Sequence, residues 1–295
     1  MIYTRKIGDA EVINVIEYIG PTHIPNVLYP ELDMADLEPH LHWLTPHQYV
    51  PHMQRFVVAM QFWIVKKDDK VVIIDTGVGN MKERPRVKRM HRLNTLTLEW
   101  LDAAGASPEK VTHVVTTHLH PDHVGWNTVL DGDKWVPTFP NAKYLVPRRD
   151  FELRKQGYEA GNVNMMAGSW VDSVLPILEA GQLGFIDNEE YVADFLRVEQ
   201  LPGHTPGAIG FSLKDGDEEG IFCGDIMHNP IQIAMPTLNT SVDELKDLAP
   251  VTRVAFLEDA ARRNALIMPC HFGFPHCGYV RGDRETGFTF EPEAR

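Results

Sequence analysis

The chain has 295 residues, of which 43% are hydrophobic and 23% charged, and a formal net charge of −13; this composition is ordinary for a soluble globular protein. The negative field disfavours nucleic-acid binding, whereas a neutral or cationic small substrate is easier to accommodate, and we expect a neutral or apolar small-molecule substrate. Residues 1–20 contain no secretory leader, and no stretch approaches the ~20 apolar residues of a membrane span, so we expect a cytoplasmic protein without membrane contact.

The predicted elements of the N-terminal half are strand hairpins and one helix. Residues 2–20 predict two strands joined by a Gly-Asp turn, and residues 57–77 predict a hairpin that turns at 67–70. A helix is predicted over 92–105, ended by Gly105. A buried strand over 110–118 then leads into the sequence THLHPDHVGW.

The second half repeats these parts. Strands are predicted at 142–147 and 266–270, a hairpin at 207–225, and helices at 148–157, 169–181 and 251–265. Hairpins that alternate with helices favour two sheets packed face to face with helices outside, in one α/β domain over residues 1–295. The sequence has three cysteines, Cys223, Cys270 and Cys277. Their odd number and their spacing suit no disulfide framework, so we expect reduced thiols.

Four metal-capable side chains fall within six residues after the strand at 110–118. They are His118, His120, Asp122 and His123. Alternate residues of a loop can converge on one point, so His118 and His120 suit one ion, and Asp122 and His123 suit a second position beside it. Imidazole nitrogens and carboxylate oxygens suit zinc, and also manganese, iron or cobalt.

Three further segments support a metal site. LPGHTPG places His204 in a rigid loop of glycine and proline, FCGD ends a strand at Asp225, and LIMPCH ends another at His271. All three side chains follow strands or tight loops. A metal site at one edge of a sandwich requires this placement.

This ordered set of motifs resembles the metallo-β-lactamase-fold hydrolases over residues 57–271, with IDTG at 74–77 as the family's first motif. The resemblance implies a four-layer αββα sandwich with two divalent metal ions at one edge, zinc being preferred. It implies these ligands: His118, His120 and His204 for the first ion, Asp122, His123 and His271 for the second, and Asp225 as the bridge. Asp75 would orient a ligand.

Within this superfamily, HLHPDHVGWNT and GDIMHNPIQ are most similar to the branch of N-acyl homoserine lactonases and methyl parathion hydrolase. Zinc β-lactamases usually lack the bridging aspartate that Asp225 supplies, and flavodiiron proteins have a glutamate where His120 stands. Nucleases have additional domains or an exosite arm, and glyoxalase II-like thioesterases a C-terminal helical region. Lactonases commonly have a tyrosine three residues after the bridging aspartate, where this chain has His228.

The resemblance implies that a hydroxide bridging the two metals attacks the carbonyl of a lactone or related ester. Asp122 is the candidate acid for the leaving alkoxide, and His228 the candidate donor to the oxyanion, with a structural role as its alternative. Phosphotriester hydrolysis on the same site is the second enzyme hypothesis, ahead of a thioesterase. The full ligand set argues against a mononuclear iron protein and against a non-catalytic binding protein.

Residues 21–55 are rich in proline, histidine and aromatics, and predict a long ordered excursion with one short helix near 33–37. We expect it to form a lid over the site; the alternative is that it packs against the second subunit of a homodimer. Candidates for an apolar pocket are Trp43, Tyr49, Met53, Phe62 and Trp63, with at least one of the last two in the core. The irregular spacing of its histidines does not favour a third metal at His40, His42, His47 and His52.

Overall fold

Residues 1–187 and 189–294 are described by the computed structural model. They divide into two units, the first of residues 1–18 and 60–195 and the second of residues 19–59 and 196–295. Sheets and helices occur in both units, which confirms the α/β class predicted from the sequence. No helix among the described residues is long and apolar enough to span a membrane.

The main sheet of the first unit places two motif loops at one edge. Its strands run in the order Ile2–Ile7, Ala10–His23, Arg55–Lys67, Lys70–Ile74, His113–Val115, Lys143–Pro147 and Leu183–Ile186. The predicted hairpin is confirmed, with Trp63 opposite Ile74 and Lys67 opposite Lys70. Strands Lys70–Ile74 and His113–Val115 are parallel. Because parallel strands end at the same edge, the loops that begin at Asp75 and Thr116 emerge side by side.

The helices of the first unit include Thr97–Ala103, Arg148–Glu159 and Leu175–Glu179, beside the small hairpin of Thr128–Asp131 and Lys134–Pro137. The helix predicted over 92–105 starts later, because the Asn80 side chain accepts a hydrogen bond from the Thr95 amide and holds that segment as a loop. The helix predicted over 169–181 is split into a π-helical turn, Trp170–Val174, and the α-helix that follows it. Pro176 lies in the first turn of that α-helix, where a missing amide donor is tolerated.

The sheet of the second unit brings two further loops to one edge. Six of its strands run in the order Leu196–Gln200, Ile209–Asp215, Glu218–Phe222, Leu266–Met268, Gly278–Asp283 and Gly287–Pro292. Glu218–Phe222 and Leu266–Met268 are parallel, with Ile221 opposite Ile267. The loops that carry Asp225 and His271 therefore leave the sheet together. Helix Ala249–Arg263 packs Phe256 and Leu257 into the core of this unit.

The predicted excursion is an ordered part of the second unit. The strand Ala10–His23 runs past residue 21, and short helices follow at Pro25–Leu28, Met34–Leu37 and Leu41–Leu44. The predicted helix near 33–37 is confirmed: the Asp33 side chain caps it by accepting a hydrogen bond from the Ala35 amide. Tyr49–Val50 then pairs with the beginning of the strand Arg55–Lys67.

Three of the five residues considered for an apolar pocket are core residues. Phe62 belongs to the main hydrophobic cluster of the first unit, and Trp63 is fully buried. Tyr49 is buried against Phe56, with ring centroids 5.2 Å apart. Both aromatics of the hairpin therefore stabilise the core, because successive strand residues face two buried sides.

Candidate metal centre

The loop after the strand His113–Val115 is fixed by Asp75. The Asp75 carboxylate accepts hydrogen bonds from the amide and the hydroxyl of Thr117, each 2.8 Å long, and lies 3.0 Å from Nδ1 of His123. Asp75 is fully buried and has a left-handed backbone with φ of 60°. Such a conformation persists only where surrounding contacts hold it. Asp75 thus fixes the start of the loop and the orientation of His123.

Three imidazole rings of this loop lie in contact. The ring centroids of His118 and His120 are 4.6 Å apart, and those of His118 and His123 are 4.1 Å apart. Asp122 Oδ1 lies 3.9 Å from Nε2 of His123. His118 and His123 are buried, whereas His120 and Asp122 are partly exposed. The first unit therefore brings together the four donors predicted from HLHPDH.

In the second unit three histidines converge on the carboxylate of Asp225. Asp225 Oδ2 lies 3.0 Å from Nε2 of His271, 3.2 Å from Nε2 of His228 and 3.4 Å from Nε2 of His204. All four residues are buried. The sequence motifs placed His204, Asp225 and His271 in separate segments, and the fold of the second unit assembles them.

The chemistry of this second donor set fits a divalent cation. The Nδ1 atom of His271 donates to the carbonyl of Ala59 at 2.8 Å, and Nδ1 of His204 lies 2.9 Å from Oδ1 of Asp243. A neutral imidazole that donates from Nδ1 has its lone pair on Nε2. Lone pairs and a carboxylate that point at one another require a positive charge among them, and a metal-binding histidine is usually oriented by such an acceptor.

Asp243 was not identified from the sequence, because nothing in TSVDELKD distinguishes it from a surface aspartate. It accepts a hydrogen bond from the Thr240 amide and lies 3.4 Å from the guanidinium of buried Arg253. Burial opposes its ionisation, but the hydrogen bond from His204 and the positive charge of Arg253 hold the pKa of Asp243 well below its usual range. Asp243 is therefore an anion that orients His204.

Replacing Asp243 by asparagine should weaken metal binding by about ten- to a hundredfold, the usual cost of losing a group that orients a ligand. Asparagine keeps the shape but removes the charge that favours Nδ1–H on His204. Zinc affinity, measured by competition with a chelator, checks this. Lys246→Gln, in the same segment, is the control. An affinity equal to the parent's would contradict the orienting role.

Glu17 is a second residue that the motifs did not reveal. Its carboxylate accepts hydrogen bonds from the amides of Val78 and Gly79, at 2.6 and 3.1 Å, and from the Trp126 indole at 2.7 Å. These hydrogen bonds favour the anion and lower the pKa of Glu17, but burial has the larger effect and raises the pKa to about 7. Glu17 joins the loop after Ile74 to the loop that carries the histidines. An acidic residue at the end of the hydrophobic run VINVI is the sequence signal that could have identified it.

His228 is held in the second donor set by its surroundings. Its amide donates to Oε1 of Gln232 at 2.7 Å, and Tyr29 donates to the same oxygen at 3.1 Å. Its ring stacks on His271 at 5.0 Å with an interplanar angle of 18°. The 21–55 segment thus supports His228 through buried Tyr29. It also supports the His271 loop, where Gln48 accepts from the Gly273 amide at 2.8 Å.

Comparison with known proteins places these features in a family. The model of the Metallo-beta-lactamase superfamily matches residues 56–271. The solved structure of the hydrolase AbOPH, of the beta-lactamase superfamily, is 22% identical, covers 100% of this chain and 98% of its own, and has a TM-score of 0.83. The dizinc quorum-quenching lactonase AidC, in complex with the product N-hexanoyl-L-homoserine, is 23% identical with the same coverage and a TM-score of 0.80. No curated protein matches the chain in sequence.

Proposed function

The chain belongs to the metallo-β-lactamase superfamily, and we propose that it is a metal-dependent hydrolase that opens a lactone or a related carboxylic ester. The observation that carries this proposal is the assembly of imidazoles and carboxylates in each unit. In the second unit these donors converge within 3.4 Å of one carboxylate oxygen.

We propose that the donors of these two sets bind two ions. We assign them as the family motifs imply: His118, His120 and His204 to one ion, Asp122, His123 and His271 to the other, and Asp225 to both. When bound, two divalent cations, preferably zinc, lower the pKa of a water molecule and polarise the substrate carbonyl. The hydrogen bonds of Asp75 and Asp243 keep His123 and His204 in the tautomer that binds metal.

The remaining chemistry falls to side chains of the chain itself. Asp122, which is partly exposed, passes a proton to the alkoxide that leaves as the lactone opens. His228 donates a hydrogen bond to the oxygen that becomes negative in the transition state. The net charge of −13 disfavours a strongly anionic substrate and is compatible with a neutral lactone. The likeness to AidC, a lactonase, also supports a lactone.

Elemental analysis and a substrate panel test this proposal. We expect two metal ions per chain, and turnover of lactones and aryl esters that is lost with a chelator and restored by zinc. The panel includes a phosphotriester, because the same donor set suits attack on phosphorus. Turnover of phosphotriesters alone would replace the lactone proposal by the alternative, and activity that survives complete metal removal would contradict both.

The role of His228 is tested by two substitutions. His228→Ala should lower lactone turnover by about ten- to a hundredfold, part of the cost of losing an oxyanion donor. His228→Tyr should retain more activity, since a phenol also donates, and should shift preference toward acyl-homoserine lactones. Metal content is measured in parallel. Nε2 of His228 lies near Asp225, so loss of metal from the His228→Ala variant would indicate that His228 is a metal ligand. Unchanged lactone turnover by that variant would indicate that His228 has a structural role.

A further inference from the structure

The first unit contains a cavity of about 530 Å³ that the proposed reaction does not use. It is lined by the segment around Arg84, by Trp135 of the small hairpin, and by the segment from Val163 to Asp172. Ligand sites typically measure roughly 300–1,000 Å³. The cavity is therefore large enough for a small organic molecule.

One wall of the cavity is fixed by a buried ion pair. Arg84 donates to both carboxylate oxygens of Asp172, at 2.6 and 2.8 Å, and its side chain is fully buried. Lys82 supports this pair from within the protein: it donates to the Thr128 hydroxyl at 2.6 Å and to the Asp172 carbonyl at 3.1 Å, and lies 3.5 Å from the centroid of the Trp135 ring. The two parallel hydrogen bonds commit Arg84 to Asp172 and fix the shape of this wall.

Among the charged residues that line the cavity, one has no partner within the described part of the chain. Glu83 accepts a hydrogen bond from Arg92 at 2.6 Å, and Arg84 and Asp172 are paired. Arg86 is exposed and, among the described residues, makes no hydrogen bond or ion pair. In a protein of net charge −13, this uncommitted guanidinium makes the rim locally attractive to an anion.

The rest of the wall is apolar and conformationally strained. Val163 and Val171 are 52% and 42% exposed and line the cavity with Trp135. Met166, Ala167 and Gly168 have successive φ values of 51°, 52° and 92°. Left-handed backbone is costly for methionine and alanine, and such strain is concentrated at ligand sites. The wall thus offers apolar surface beside one cation.

We propose that this cavity binds a small amphipathic carboxylate, with its head paired to Arg86 and its hydrocarbon chain packed on Trp135, Val163 and Val171. A guanidinium matches a carboxylate with two parallel hydrogen bonds. The apolar side chains of the wall provide a surface on which the hydrocarbon chain of the ligand is buried. The inference stands apart from the proposed reaction, since none of these residues belongs to the donor sets.

Isothermal titration of the metal-loaded protein with octanoate tests the proposal. We expect saturable binding, and about fourfold tighter binding for each methylene added to a shorter carboxylate until the cavity is filled. Octanamide, which lacks the charge, should bind about tenfold more weakly. Absence of octanoate binding at millimolar concentration would overturn the proposal.

Variants show whether octanoate binds in this cavity or at the metal centre. Arg86→Gln should weaken octanoate about tenfold, and Val171→Asp should weaken it at least as much. The matched controls are Lys88→Gln in the same basic segment and Val251→Asp at an exposed helix position of the second unit, and both should leave affinity unchanged. Equal weakening by Arg86→Gln and Lys88→Gln, or parental affinity in both cavity variants, would overturn the proposal. Melting temperatures confirm that each variant is folded.

Discussion

Replacement of Asp225 by alanine should reduce the metal content from two ions per chain to one or none and lower lactone turnover by on the order of a thousandfold. The carboxylate lies 3.0–3.4 Å from Nε2 of three histidines, so its removal takes the only anion from that set of donors. Metal ions contribute several kcal/mol of transition-state stabilisation, and each 1.36 kcal/mol is a factor of ten in rate. Elemental analysis and steady-state kinetics on the same preparation measure both effects.

The control for Asp225 is Asp217→Ala, which removes an exposed aspartate from the turn before the same strand. It should leave metal content and turnover unchanged. Asp225→Asn keeps the shape of the side chain and should lie between the parent and the alanine variant. Parental metal content and rate in Asp225→Ala would remove Asp225 from the site and would contradict the assignment of two ions.

Asp122→Asn should lower turnover of an alkyl lactone by about a hundred- to ten-thousandfold, the usual contribution of a positioned acid. The amide fills the same space but has no proton to give to an alkoxide. A nitrophenyl ester should lose about tenfold less, because its leaving group departs without protonation. The ratio of the two losses is measured under the same conditions.

Metal content separates the two roles assigned to Asp122. If Asp122→Asn keeps its metal while the loss of turnover differs between the two substrates, Asp122 is the acid. Equal losses with retained metal would contradict proton donation, and loss of metal would show that ligation dominates. Asp131→Asn, an exposed aspartate in the small hairpin of the same unit, is the control.

The sequence alone indicated the family and most of the candidate metal ligands. Both follow from short motifs and from the order of these motifs along the chain. The hairpin at 57–77 was predictable from β-branched and aromatic runs around a charged turn, and its register is as expected. Four donors of HLHPDH are close together because they share one loop, and the spacing of GHTPG, GD and the last histidine matched a known order. The split helix at 169–181 was missed because the helical pattern continues through Pro176.

Only the tertiary structure decided which side chains orient the donors. The contact between His204 and Asp243 spans 39 residues, that between Thr117 and Asp75 spans 42, and that between His271 and the Ala59 carbonyl spans 212. Such pairs depend on which strands are neighbours and where each loop leaves its sheet, and local periodicity encodes neither. The sequence therefore identified what can bind a metal, whereas sheet topology and loop packing decided which groups orient His123, His204 and His271.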